Sequence, residues 1–288
     1  MDRVTRVESM MRIREACHVQ AGFRRICTFA AATAILVLAS PSAPAQTSDI
    51  EHFSLSLGVF VTDRNTNARL DGNIPDSGTD INLESDLGLD SSTSAFRVDG
   101  YVRFNEKHRI DFSAFDLSRS ASKRIQENIV WDGSTYPIDT VVSTNFDLSI
   151  YKLAYTWSFL QRDQGYLGVT AGLYVADTGS KLAATSIGSV TSEGITAPLP
   201  VVGLRGRYDF NSRWSFRASA EVFAIDYSDY SGSLYDVYAG LDYRIARHWS
   251  VGVAFNAVKF NVAVAKESYN GDLDWKYDGG LLFVKLDL

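Results

Sequence analysis

The residues that could do chemistry are the three histidines that follow residue 45, a dispersed set of charges and one acidic stretch. His52, His108 and His248 are the bases a hydrolase would need to take a proton from water or a hydroxyl nucleophile. Arg97, Asp99, Arg103, Arg109, Asp111, Arg205, Arg207, Asp209, Arg217, Glu221, Asp242 and Arg244 recur at alternate positions between apolar residues. Segment 63–93 holds Asp63, Asp71, Asp76, Asp80, Glu84, Asp86 and Asp90 against only Arg64 and Arg69. Hard cations bind such carboxylates, but the spacing fits no defined calcium loop. The stretch therefore reads as a solvated surface loop, and neither a metal nor a cofactor is expected. Cys17 and Cys27 both precede residue 46, so the rest of the chain has no disulfide framework and no thiol site.

Strands must position these residues. One face from Phe96 reads Phe96, Val98, Gly100, Val102 and Phe104, and the other Arg97, Asp99, Tyr101 and Arg103. Segments from Tyr166, Trp214, Tyr235 and Trp249 alternate in the same way, each over about ten residues, the length of a tilted membrane strand. A phrase also recurs: Tyr101-Val-Arg-Phe104-Asn-Glu-Lys-His108, then Tyr208-Asp-Phe210-Asn-Ser-Arg-Trp214, then Tyr243-Arg-Ile245-Ala-Arg-His248-Trp249. Each is a strand end, a short polar turn and a new strand with aromatics at its shoulders. Long strands with short turns at one end and longer loops at the other are the pattern of a transmembrane antiparallel up-and-down β-barrel.

The first 45 residues are set aside as a signal peptide. Arg24 and Arg25 precede an apolar run from Ile26 to Leu38, and Ala43-Pro44-Ala45 offers a cleavage site before Gln46. The run falls short of the roughly 20 residues a membrane helix needs. Residues 46–288 form one barrel domain with 22 Lys+Arg against 31 Asp+Glu, a net charge of about −9. An acidic chain without a basic stripe is not expected to bind nucleic acid.

Ten strands are expected, near 51–62, 94–104, 108–122, 142–159, 164–178, 199–210, 213–227, 232–245, 248–265 and 273–288, with eight or twelve as alternatives. Two stretches are untidy. The alternation blurs at Phe115-Asp116-Leu117, and 146–159 looks as if it changes face near Ile150-Tyr151, by a bulge or by crossing a rim. Connections near 105–106, 161–164, 211–212 and 246–247 are short. Of the other five, 63–93, 123–141 and 179–198 are long and 228–231 and 266–272 shorter, and all belong outside the cell. A periplasmic aromatic girdle is expected from Tyr101, Phe104, Trp157, Phe210, Trp214, Tyr243 and Trp249, and an outer belt from Tyr151, Tyr174, Tyr227, Tyr230, Tyr235, Trp275 and Tyr277. A soluble sandwich or lipocalin-like barrel also alternates. The doubled belts and the final Leu282, Val284, Leu286 and Leu288 favour the membrane form.

Over 50–288 the chain resembles Gram-negative outer-membrane β-barrel proteins. Its last strand looks like the signal read by the barrel-assembly machinery, although it ends in Leu288 where that class ends in Phe or Trp. Gly78-Thr-Asp-Ile-Asn-Leu-Glu84-Ser-Asp86-Leu-Gly88-Leu89 is similar to a segment of proteobacterial outer-membrane barrels that mostly lack an assigned activity. The resemblance implies an outer-membrane location, with lipid and lipopolysaccharide as neighbours, and no particular chemistry. Outer-membrane hydrolases resembling this class carry a His near the outer leaflet. The ten-strand topology instead puts His52, His108 and His248 at the periplasmic end, so no catalytic residue is expected. Charges within the span must face the lumen and pair, and a small barrel has little room beyond its side chains. The expectation is a structural or surface-interaction barrel with an occluded lumen. A narrow channel or transporter for small solutes or hydrophobic ligands comes second, and a surface hydrolase third.

Overall fold

A computed structural model describes residues 51–71, 77–184, 186, 188–227, 230–266 and 269–288. The targeting segment expected over 1–45, Asp76 of the acidic stretch, and the side chains of Tyr227 and Tyr230 lie outside what is described. The strands are β1 (Phe53–Asp71), β2 (Ile81–Asn82), β3 (Ser92–Asn105), β4 (His108–Arg124), β5 (Ile129–Trp131), β6 (Ser134–Tyr136), β7 (Val141–Arg162), β8 (Gly165–Ala184), β9 (Ser189–Asp209), β10 (Trp214–Tyr227), β11 (Tyr230–Arg244), β12 (Trp249–Lys266) and β13 (Tyr269–Asp287). Ten of them pair antiparallel in chain order, and β13 pairs back onto β1 from Ser54↔Asp287 to Asp71↔Asn270. The barrel is therefore closed, with both ends of 51–288 at the short-turn rim. β2 adds briefly to β1, and β5 with β6 forms a separate two-strand hairpin.

The recurring phrases are the turns of that rim, and two share one device. The Asn105 side chain accepts from the N–H groups of Lys107 (2.9 Å) and His108 (3.1 Å). Asn211 does the same for Arg213 (2.8 Å) and Trp214 (2.9 Å). A short polar side chain that closes a turn onto its own backbone is why Asn suits these positions. At the fourth turn Gly165 has φ 148°, and a Cβ there would sit 2.0 Å from the Arg207 carbonyl oxygen, so the position excludes a side chain.

The alternation runs along every long strand, with register shifts only near the short-turn rim at 103–105 of β3 and 158–160 of β7, but its polarity inverts partway up. On β7 the outward residues are Phe159, Trp157, Tyr155, Leu153 and Tyr151, then Ser149, Asp147, Asn145 and Ser143. The inward residues are Ser158, Thr156, Ala154 and Lys152, then Ile150, Leu148 and Phe146. β1 turns over between outward Val61 and Asp63, β4 between Ala114 and Asp116, β8 between Val175 and Asp177, β12 between Ala257 and Lys259, and β13 between Gly280 and Asp278. These positions form one ring through the register, for example Val61↔Gly280, Ala114↔Tyr151 and Tyr151↔Val175. Below it, nine residues of strand at roughly 3.3 Å each, tilted by about 40°, make an apolar band about 25 Å tall, which matches the hydrocarbon layer. Above it, the same sheet has a polar outside and an apolar inside.

The inversion corrects several expectations. β7 neither bulges nor changes face near Ile150, and the blur at Phe115–Leu117 is the same ring crossed on β4. Segment 63–93 is not a solvated loop, because 63–71 continue β1 and Ile81, Leu83, Leu87 and Leu89 are buried inside the barrel. Strands absorb most of 179–198, leaving a connection of 185–188. Tyr101 is not in the girdle: one residue out of step with Phe104 and Val102, it points into the lumen and is 7% exposed. Tyr174, Trp275 and Tyr277 likewise have inward parity and belong to the interior, so of the expected outer belt only Tyr151 and Tyr235 face out among the described side chains.

Candidate functional site

All twelve charged residues singled out in the sequence sit on the inward face of their strands, where alternation alone puts them. Some pair along their own strand or with a neighbouring strand, and others form chords across the lumen between strands that are not neighbours in the sheet. Arg205 on β9 pairs with Glu221 on β10 (3.0 Å) and approaches Asp111 on β4 (3.6 Å). Lys152 on β7 binds Glu221 on β10 and lies 3.8 Å from Asp236 on β11. Arg97 on β3 holds Asp99 (2.9 Å) and donates to the Asn256 side-chain oxygen on β12 (2.5 Å). Asn256 in turn donates to Asp236 (2.6 Å), which also accepts from the Tyr174 hydroxyl. Arg217 and Lys285 share Asp242 (2.9 and 3.2 Å), and Lys285 also meets Asp287 (3.0 Å), which accepts from Ser54 (2.7 Å).

Two arginines are held by rings, and one of them by a carboxylate as well. Arg109 pairs with Asp111 (3.1 Å) and lies between Tyr101 and Tyr166, 4.7 and 4.8 Å from their ring centres. Arg103 lies 5.5 and 5.6 Å from the same two rings. Ion pairing plus cation–π contact suits a weakly hydrated guanidinium away from bulk water. At the short-turn rim Glu51 joins Arg207 (2.7 Å) and Arg244 (2.5 Å), and Arg207 also holds Asp209 (2.8 Å). Burial resists the charged form of Glu51, but Arg207, Lys285 and Arg244 outweigh it and hold the carboxyl at about 2. Amid the network lies a small cavity, walled in part by Arg97, Asp111, Arg205 and Tyr238.

An aromatic layer lies in the lumen above the charges. Phe60, Phe115 and Tyr277 pack edge to face with ring centres 5.4–6.2 Å apart, and Trp275 and Phe260 extend the layer. Above it the connections fold inward. Residue Glu84 accepts from the Thr66 N–H (2.8 Å), the Thr66 hydroxyl (2.9 Å) and Arg119 (2.5 Å), which fastens 77–91 to the wall. The β5–β6 hairpin buries Ile129, Trp131 and Tyr136, and the Tyr136 hydroxyl donates to Thr191 on β9 (3.0 Å). A second cavity lies in this half, lined by Leu70, Leu83, Trp131, Phe146, Val262 and Leu273 among others.

Sequence reasoning missed Glu51, Lys152, Asp236, Asn256, Lys285 and Asp287. The parity that found the others would have found Lys152, Asp236, Asn256, Lys285 and Asp287. Lys152 was hidden because β7 looked as if it switched face. Of the expected girdle, Phe104, Trp157, Phe210, Trp214 and Trp249 are exposed on the outer face, and Tyr243 lies beside Trp214 with ring centres 4.8 Å apart. The histidines lie at the short-turn rim. His52 contacts the Arg103 carbonyl (3.2 Å), His108 the Tyr155 hydroxyl and His248 the Asp287 carbonyl (2.9 Å).

The sequence matches no protein-family model and no curated protein. The structure is similar to the outer membrane protease OmpT of Escherichia coli at 10% identity and TM-score 0.51, over 86% of this chain and 100% of that one. Looser likenesses include Ail, the attachment invasion locus protein of Yersinia pestis (9%, TM-score 0.32, 81% and 99%), and the toluene transporter TodX of Pseudomonas putida (8%, TM-score 0.31, 83% and 91%). The likeness to OmpT is one of fold, and it agrees with the apolar band and aromatic rim. The chain has the fold of the Gram-negative outer-membrane β-barrels, and the outer membrane is its location.

Proposed function

We propose that this protein is a closed outer-membrane barrel with a structural or surface-interaction role. The observation that carries the reading is the set of lumen chords, Lys152–Glu221, Arg205–Asp111 and Arg97–Asn256, roofed by the Phe60–Phe115–Tyr277 layer. A conducting barrel needs a continuous wet path, and these side chains occupy it. The three described histidines sit at the rim away from any cell-surface substrate, which supports a non-enzymatic role. The apolar band meets outer-membrane lipid and lipopolysaccharide, and the alternating Leu282, Val284, Leu286 and Leu288 edge is what the barrel-assembly machinery engages.

The test is planar-bilayer conductance of refolded protein, with folding checked by its heat-modifiable gel shift. The wild type carries no steady unitary current. Removing Arg205, Arg207 and Arg217 together, each to Ala, lowers stability and admits ions. A conducting wild type, or a triple variant of unchanged stability with altered conductance, sinks the occluded reading and promotes the channel.

A further inference from the structure

Among the described residues the barrel wall is open in two places: β3 and β4 pair no higher than Arg97↔Phe115, although β3 runs on to Ser92 and β4 to Arg124, and the second gap lies between β9 and β10. β9 and β10 pair only from Asp209↔Ser215 to Val202↔Val222. On its other side β9 pairs with β8 from Tyr208 all the way to Ser189, and β10 pairs with β11 up to Tyr227↔Tyr230. Among the described residues, therefore, β9 above Val202 and β10 above Val222 have no ladder between them. The register would next have matched Pro200 with Ala224 and Pro198 with 226. Proline has no N–H to donate, so it sits in a sheet only where that side of the strand is unpaired.

The position of the opening relative to the membrane is informative. Pro198 lies opposite Val175, the last apolar outward residue of β8, and Thr196 lies opposite Asp177, the first polar one. Pro198, Pro200 and Ala224 are exposed on the outer face. The split thus begins inside the apolar band, at its outer-leaflet edge, and is continuous with the lipid-facing surface. An open sheet edge in hydrocarbon is costly because its donors have no partner. Two successive edge prolines remove two of those donors, so the opening is built to persist in lipid. Behind it the interior is apolar: Leu199 and Val201 of β9, Leu234 of β11 and the partly buried Phe223 of β10. The upper cavity has Glu193 and Gly194 of β9, whose side toward β10 is unpaired, in one wall and Val262 of β12 in another. Trp131, which lines it, has a buried indole N–H with no acceptor among the described residues.

We propose that the β9–β10 split is a lateral port through which the acyl chain of an outer-leaflet lipid enters the apolar upper half of the barrel. Its ester carbonyl accepts from the Trp131 indole. The port opens above the ion-pair network, so it is independent of whether the lower lumen conducts.

Full-length protein carrying Trp157→Phe, Trp214→Phe, Trp249→Phe and Trp275→Phe keeps Trp131 as its one fluorophore. It is reconstituted in vesicles of phosphatidylcholine with brominated acyl chains. A chain in the cavity quenches Trp131. Pairing Pro200→Cys with Ala224→Cys, in a chain whose barrel otherwise lacks cysteine, closes the split on oxidation: quenching is lost, and reduction restores it. The variant Pro198→Thr/Pro200→Thr returns the donors and weakens quenching without a cross-link. Unquenched Trp131 in the open protein overturns the proposal. So does quenching that is equal in the oxidised, reduced and threonine forms with the heat-modifiable shift intact, since the chain would then enter elsewhere.

Discussion

The lower and upper halves of this barrel are the same ten strands solving opposite problems. Below the ring through Val61, Ala114, Tyr151 and Val175, lipid surrounds the sheet, so apolar side chains face out and Arg109, Asp111, Lys152, Arg205 and Glu221 face one another inside. Above it, water surrounds the sheet, so Asp63, Asp116, Asp147 and Asp177 face out while Phe146, Leu148, Trp275 and Tyr277 make a conventional core. One period-2 pattern serves both, because a strand cannot change which residues point inward without a bulge. Only the polarity assigned to each parity changes. The interiors are therefore held by different forces: charge-assisted bonds that stabilise only while every partner is present, and apolar burial that is lost in proportion to what is removed.

The largest expected effect comes from leaving a charge unpaired in the lower half. Glu221→Ala leaves Lys152 and Arg205 only their longer contacts to Asp236 and Asp111 and should cost about 3–5 kcal/mol, whereas Lys152→Met/Glu221→Leu, which removes a pair together, should cost much less. Urea unfolding in lipid vesicles reads both. Equal losses would mean that the lower half is not held by pairing. In the upper half Trp275→Ala, at a position with no exposure, should cost about 3–5 kcal/mol through the cavity it leaves, with no rescue by a second truncation. A loss under about 1 kcal/mol would show that the apolar interior is not a packed core.

The outer faces should differ by less. Leu57→Arg, in the middle of the β1 band, should cost about 2–4 kcal/mol. Ser120→Arg, outward on β4 above the ring, should change stability by less than about 0.5 kcal/mol. Similar costs at both sites would put the membrane boundary elsewhere. The smallest effect is at the rim. Glu51 is held at about 2 against an ordinary value of 4.5, so its contribution is full above pH 4.5 and disappears as the pH falls through about 2. Replacing it (Glu51→Gln) should flatten that part of the acid-stability profile. An unchanged profile would mean that Arg207 and Arg244 do not stabilise the charged carboxylate.

The parity of each strand was legible in the sequence because alternation in one sheet needs no tertiary information. It located all ten strands, the turns at Asn105 and Asn211, and the inward direction of the twelve charges. What misled was the assumption that an apolar residue faces lipid. That holds below the ring and fails above it. Hence Phe115–Leu117 and Ile150 looked irregular, and Trp275 and Tyr277 were taken for a belt. Tyr101 is a separate error: it was grouped with Phe104 by nearness along the chain although three positions separate them, an odd step that reverses the face.

By itself the sequence determined period, turn chemistry and strand number, since these are local properties of the backbone and its side-chain spacing. Only the tertiary structure decided where the membrane stops, because that height is a ring shared by ten strands through their register and belongs to none of them singly. It also decided that Glu84 and its neighbours fold inward, since their partners Thr66 and Arg119 lie 18 and 35 residues away. The split at Val202↔Val222 is of the same kind. Pro198 and Pro200 are visible in the chain, but only closure of the barrel shows that they stand at an unpaired seam, at the level of the lipid.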